Sequence, residues 1–215
     1  MTREKRIGDL LANWYKSNAR EYPWRKHRTP YNILIAEIML QRTKADQVVP
    51  VYLSFLTQFP DPRRLGLASK EEIMKYFCKL GLIHRARLLE LLAKELLLRF
   101  DGKIPKKREE LLSLPSIGEY VADAVLCFAF DEDIAVVDSN VCRIIGRIFD
   151  LKAEGEPRRD PQFRKAANKL LPAGKSKEFN WAMIDLGALI CTPQNPSCNI
   201  CPISDLCDYY RAKMA

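Results

Sequence analysis

Residues 111–147 read LLSLPSIGEYVADAVLCFAFDEDIAVVDSNVCRIIGR. The stretch holds two apolar helical segments, a tight turn from Leu114 to Gly118, and, 20 residues beyond that glycine, the aspartate Asp138 in V-D-S-N-V. Pro115 ends the helix before it, and Gly118 offers a backbone another molecule can approach before Glu119 opens the next helix. A helix start of this kind directs backbone N–H groups outward and is an anion site; for a basic protein the natural anion is a nucleic-acid phosphate. Taken alone, a Pro-x-x-Gly turn reads as an ordinary helix-turn-helix within a bundle.

Working outward, no run alternates apolar and polar residues long enough to argue a sheet. Helical periodicity is expected over 6–20, 31–40, 45–59, 70–80 and 86–100, with breaks at Pro60-Asp61-Pro62 and Gly81. The chain of 215 residues is 47% hydrophobic, ample for a core. Its net charge is +8, in clusters spread along the chain (RKHR at 25–28, KKR at 106–108, GKSK at 174–177), which suits a folded surface tracking a phosphate backbone. The charged N-terminus lacks an apolar signal core and no later segment could span a membrane, so a soluble, cytoplasmic protein, nucleoid-associated in a prokaryote, is expected. Gly174-Lys175-Ser176 resembles the end of a phosphate-binding P-loop, but Lys169 stands where the first glycine belongs, which excludes that motif.

Residues 21–32 (EYPWRKHRTPYN) read as an ordered loop in which Arg25 is a phosphate-contact candidate. The following helix, YNILIAEIML, carries a single charge, Glu37. Flanked by Ile35-Ala36 and Ile38-Met39, its carboxylate is a candidate general acid with a raised pKa. On the residues alone, a solvent face marked by Asn32, Glu37 and Gln41 is the simpler reading.

The C-terminal stretch CTPQNPSCNICPISDLC sets Cys191, Cys198, Cys201 and Cys207 in a C-x6-C-x2-C-x5-C pattern. Four thiolates so close in a proline-rich loop form a metal site. Structural zinc is the rival, but zinc sites tend to offer two close pairs, whereas separated single thiolates suit the corners of a [4Fe-4S] cube. Cys78, Cys127 and Cys142 lie in apolar contexts and are expected in the core.

The glycine-ended hairpin, the aspartate 20 residues on and the cysteine loop together resemble the helix-hairpin-helix DNA glycosylases of the endonuclease III and MutY type, from about Trp14 to Cys207. The resemblance implies an all-α, two-lobed fold with a C-terminal [4Fe-4S] cluster and DNA in the cleft between lobes. One lobe would span 30–133, with the hairpin at about 107–130; the other would join 1–29 to 134–215. Asp138 matches the family's catalytic aspartate, Asn140 a supporting residue, and Glu37 the second carboxylate of the MutY-like branch, which reverses the solvent-face reading. Tyr120 holds the position of the Schiff-base lysine of the bifunctional lyases, and no lysine lies between Lys107 and Lys152. A monofunctional enzyme is therefore expected, without lysine-dependent strand cleavage. Ser116 and Gly118 fall at the phosphate-binding hairpin, with Ser116 replacing a usual glycine. Gln41, Arg42, Leu82 and Ile83 fall where the family inserts side chains into the gap or against the orphaned base.

The segment GLIHRAR at 81–87 lacks the paired tyrosines of adenine-specific MutY enzymes, and the chain ends eight residues after Cys207, without the extra domain those enzymes carry. The R-A-x-x-L-x-x-L-A run from Arg85 resembles the Mig-type mismatch glycosylases, whereas N-W-A-M-I-D from Asn180 resembles MutY. The expected activity is removal of thymine or uracil opposite guanine by a monomer acting on mismatched or damaged double-stranded DNA. Adenine removal opposite guanine or 8-oxoguanine is the alternative. A non-catalytic iron-sulfur DNA-binding module and a bifunctional lyase are weaker alternatives.

Overall fold

A computed structural model describes residues 1–214, among which the regular structure is helical throughout. In chain order the α-helices are α1 (Arg3–Asn18), α2 (Pro23–Lys26), α3 (Pro30–Leu40), α4 (Ala45–Gln58), α5 (Pro62–Gly66), α6 (Lys70–Phe77), α7 (Ile83–Phe100), α8 (Arg108–Leu112), α9 (Glu119–Phe130), α10 (Ser139–Phe149), α11 (Pro161–Leu170), α12 (Ser176–Leu189) and α13 (Asp208–Met214). The chain divides into two compact units, one of residues 21–130 and one joining 1–20 to 131–215.

In the continuous unit, α3 packs against both α4 and α9. Residues 31–39 are all buried except Asn32, because a helix apolar on every side has no face to give to water. Thr29 caps its start by accepting from the Asn32 N–H, with Pro30 in the first turn. The segment expected to be a loop at 21–32 contains the single-turn helix α2, seated by Trp24, which is 3% exposed and stacks on Tyr22 at 4.8 Å. Ser69 and Glu72 form a reciprocal capping box at the head of α6. Helix α7 packs against both α5 and α6.

In the discontinuous unit, α1 packs on α11 and α12, and α10 packs on α11, α12 and α13. The core is aliphatic: Ile7 and Leu11 of α1 join Ile144, Ile145 and Ile148 of α10 and Met183 and Leu186 of α12. Asp185, fully buried on α12, accepts from both the backbone N–H and the guanidinium of Arg20, which ties the end of α1 to α12. Cys127 and Cys142 are buried as expected, but Cys78 is exposed: it lies in the short 3-10 turn after α6, where the apolar face of that helix has run out.

Candidate active site and cluster loop

Glu37 comes from the middle of α3 and Tyr120 from the second position of α9, and the packing of these helices brings them together. The Tyr120 hydroxyl donates to Glu37 Oε2 at 2.8 Å. Glu37 is 3% exposed, so the solvent-face reading fails; a helix buried all round carries its lone acid inward. Arg28 Nη1 donates to the Phe128 carbonyl at 2.7 Å, satisfying an orphan acceptor at the far end of α9.

The hairpin joins α8 to α9 through residues 113–118. Ser116 sits at φ +67°, in the left-handed region that favours glycine. Gly118 has no such φ, and a Cβ built on it would meet nothing within 4 Å. Nothing inside the chain therefore requires a glycine at 118, which leaves approach from outside as the use of its bare backbone. Sequence reasoning missed the brace of this hairpin. Arg108, first residue of α8, donates to the fully buried Asp123 of α9 at 2.8 Å, and that bond holds its guanidinium above the usual range. A polar residue inside the apolar run of α9 was the available signal.

The remaining expected DNA contacts lie at helix ends of the same unit. Gln41 is the C-cap of α3, and the exposed Arg42 follows it at φ +62°. Leu82 is the N-cap of α7, and Ile83, its first residue, is 53% exposed. The Arg25 guanidinium stacks over the Tyr22 ring at 5.4 Å.

Asp138 and Asn140 belong to the other unit. Asp138 is the N-cap of α10: its Oδ1 accepts from the Val141 N–H at 2.7 Å, and its Oδ2 accepts from Asn140 Nδ2 at 3.0 Å. Both oxygens are thus oriented at a helix start, where the backbone dipoles favour negative charge. Two residues the sequence did not single out hold this arrangement. Asn180, 1% exposed on α12, accepts from the Val136 N–H and donates to the Ile134 carbonyl, clipping the extended segment that leads to Asp138. Arg143 donates to Asn140 Oδ1, the Gly187 carbonyl and the Cys191 carbonyl, each at 2.9 Å. Burial pulls the Arg143 guanidinium below its usual pKa. A Cβ on Gly187 would stand 3.0 Å from that of Asn140, so the glycine allows α12 to approach α10.

Cys191, Cys198, Cys201 and Cys207 line one cavity, closed by Ile144, Ile148 and Ile203. Among the described residues no three His, Cys, Asp or Glu side chains could hold a single metal ion. Four thiols around a shared hollow fit a multi-iron cluster better than a lone zinc. Burial pushes Cys201 up to about 11 and raises Cys207 too, with neighbouring thiolates adding to both. A cationic iron-sulfur core offsets that cost by taking the thiolates as ligands. Arg147 closes the site from α10: its Nη1 lies 3.2 Å from Cys191 Sγ and 2.7 Å from the Thr192 carbonyl, and its guanidinium stacks over Tyr209.

With this geometry established, family comparison defines the class: the chain belongs to the HhH-GPD superfamily of base excision DNA repair proteins, matched over residues 35–173. Residues 191–207 match the iron-sulfur binding domain of endonuclease III, and the cofactor is a [4Fe-4S] cluster, which the four cysteines would hold. A thymine/uracil-DNA glycosylase of Pyrobaculum aerophilum is 37% identical, covering 95% of this chain and 92% of its own. A thermostable thymine-DNA glycosylase of known structure is 34% identical and superposes with a TM-score of 0.92, covering 98% of this chain and 97% of its own. An adenine DNA glycosylase of Buchnera aphidicola is 34% identical over 93% of this chain, which spans 57% of that protein's length.

Proposed function

We propose that the protein is a monofunctional DNA N-glycosylase that removes thymine or uracil mismatched with guanine. The observation that carries this reading is the Tyr120–Glu37 hydrogen bond at 2.8 Å, which puts a phenol where a lyase would carry an amine. Thymine and uracil offer an imide N–H that a carboxylate oxygen accepts and a flat ring that a tyrosine can cover once the nucleotide has left the stack. The near full-length likeness to thymine and uracil glycosylases supports the same choice.

Asp138 acts on the sugar. As the N-glycosidic bond breaks, the base departs with the bonding electrons and takes up a proton, and positive charge grows on the deoxyribose. A carboxylate fixed by the Val141 N–H and the Asn140 amide stabilises that charge and orients the water whose oxygen bonds to C1′. Ser116, Gly118 and Arg25 contact phosphates, and Gln41, Arg42, Leu82 and Ile83 enter the opened duplex.

Single-turnover base release on matched duplexes carrying G:T, G:U, A opposite G and A opposite 8-oxoguanine, followed by alkali, tests the assignment. Release from G:T and G:U alone is expected; release of adenine alone would make the protein an adenine glycosylase instead. Asp138→Asn should abolish release and spare binding, and unchanged function in that variant would mean a non-catalytic binding module. Borohydride should trap no covalent adduct; a trapped adduct would mean a lyase.

A further inference from the structure

Arg85, third residue of α7, belongs to the R-A-x-x-L run and has no part in the chemistry above. Its Nη1 donates at 2.9 Å to the carbonyl of Ile38, in the last turn of α3. That carbonyl is one of the four at a helix C-terminus without an intrahelical partner, and a cation is favoured there. The two residues after α3 are Gln41 and Arg42; the two at the head of α7 are Leu82 and Ile83. One side chain therefore ties together the ends of two helices that carry separate turns.

The first of those turns is held under strain. Arg42 adopts φ +62°, a left-handed conformation costly for an L residue, and the Thr43 hydroxyl oxygen is buried without a hydrogen-bond partner. Strain of this kind persists only where the surroundings impose it. Arg85 is half-buried, and its guanidinium is pulled below its usual pKa by burial first and by the charge of Arg42 second. Arg42 itself is exposed to solvent.

We propose that Arg85 is a positioning residue that locks the Gln41–Arg42 and Leu82–Ile83 turns into one rigid wedge, so that both enter the duplex together. The proposal rests on the reading that these turns enter DNA, and the test separates the two.

The full-length holoprotein is titrated onto a duplex with a tetrahydrofuran abasic analogue opposite guanine and 2-aminopurine beside it. This probe does not depend on which base the enzyme removes. Unstacking of the 2-aminopurine reports the wedge. Arg85→Met should reduce unstacking at saturation about fivefold to tenfold, the size of coupling expected between groups in one network. Arg85→Lys, which can donate to the same carbonyl, should restore most of it. The slope of log K against log salt should not change; a slope smaller by about 0.9 would make Arg85 a phosphate contact and overturn the proposal. Gln41→Ala and Ile83→Ala should each reduce unstacking, non-additively in the wild type and additively with Arg85→Met. If Arg85→Met does not fold, the wild-type cycle decides. Two reductions that simply add there would sink the wedge alone; no reduction from either variant would sink the reading of the turns and the wedge with it.

Discussion

Replacing Arg143 removes three hydrogen bonds at once, to Asn140 Oδ1, the Gly187 carbonyl and the Cys191 carbonyl. Bonds from a charged donor contribute about 1.5–3 kcal/mol each, but the half-buried guanidinium regains water when the chain unfolds, which offsets much of the sum. The expected loss is about 2–4 kcal/mol for Arg143→Met. Arg143→Lys should recover little of it, because an ammonium cannot reproduce a planar fork aimed at three acceptors. The effect on rate follows from Asn140. Without Arg143 its amide is no longer held by its oxygen, and Asp138 Oδ2 loses a fixed donor while Oδ1 keeps the Val141 N–H. Base release should slow on the order of tenfold to a hundredfold, the cost of a small misplacement at a reacting group. Thermal unfolding and single-turnover release measure the two effects, with binding to an abasic-site duplex as the control for DNA affinity. An Arg143→Met protein with both the wild-type unfolding midpoint and the wild-type rate would refute this account of how the aspartate is held.

Ser116→Gly should stabilise the protein by about 0.5–1 kcal/mol by relieving the left-handed φ, read as a higher unfolding temperature. Asp123→Asn should cost about 1–2 kcal/mol by removing the buried carboxylate that Arg108 donates to, leaving it only Glu119 at 3.5 Å, and weaken DNA binding through the loosened hairpin, measured by denaturation and duplex titration. A thiol reagent at neutral pH should modify exposed Cys78 first and leave Cys142 untouched in the folded protein, as peptide mapping by mass spectrometry would show. Burial raises Cys142 from 9.0 to about 11, so the folded state binds the extra proton between those values. Its contribution to stability is complete below about pH 9 and declines as pH rises towards 11; Cys142→Ala should flatten that part of the stability profile.

The helical class, the cluster cysteines and the hairpin turn were legible because each is written in contiguous residues: all four cysteines fall within 191–207. Glu37 was legible only through family resemblance. Periodicity assigns a lone acid to the wet side, and α3 has no wet side. The single turn of α2 is too short for any period to register. Arg143 and Asn180 could not be singled out, since their roles arise from partners distant in the chain. Arg143 reaches Cys191 across 48 positions, and Asn180 reaches Val136 across 44. One sequence carries no record of which polar residues meet. The exposed Cys78 shows the opposite failure, an apolar neighbourhood in sequence that ends at a turn in space.

The discontinuous unit imposes an order on synthesis. Helix α1 leaves the ribosome long before its packing partners α11 and α12, which begin at Pro161 and Ser176. The segment before Asp138 likewise waits for Asn180 to satisfy its backbone. Residues 21–130 can collapse while 131–215 are still being translated, with α1 held in reserve as an amphipathic segment. A nascent chain stalled before residue 176 would therefore carry the Tyr120–Glu37 pair in folded form and Asp138 in a segment not yet anchored.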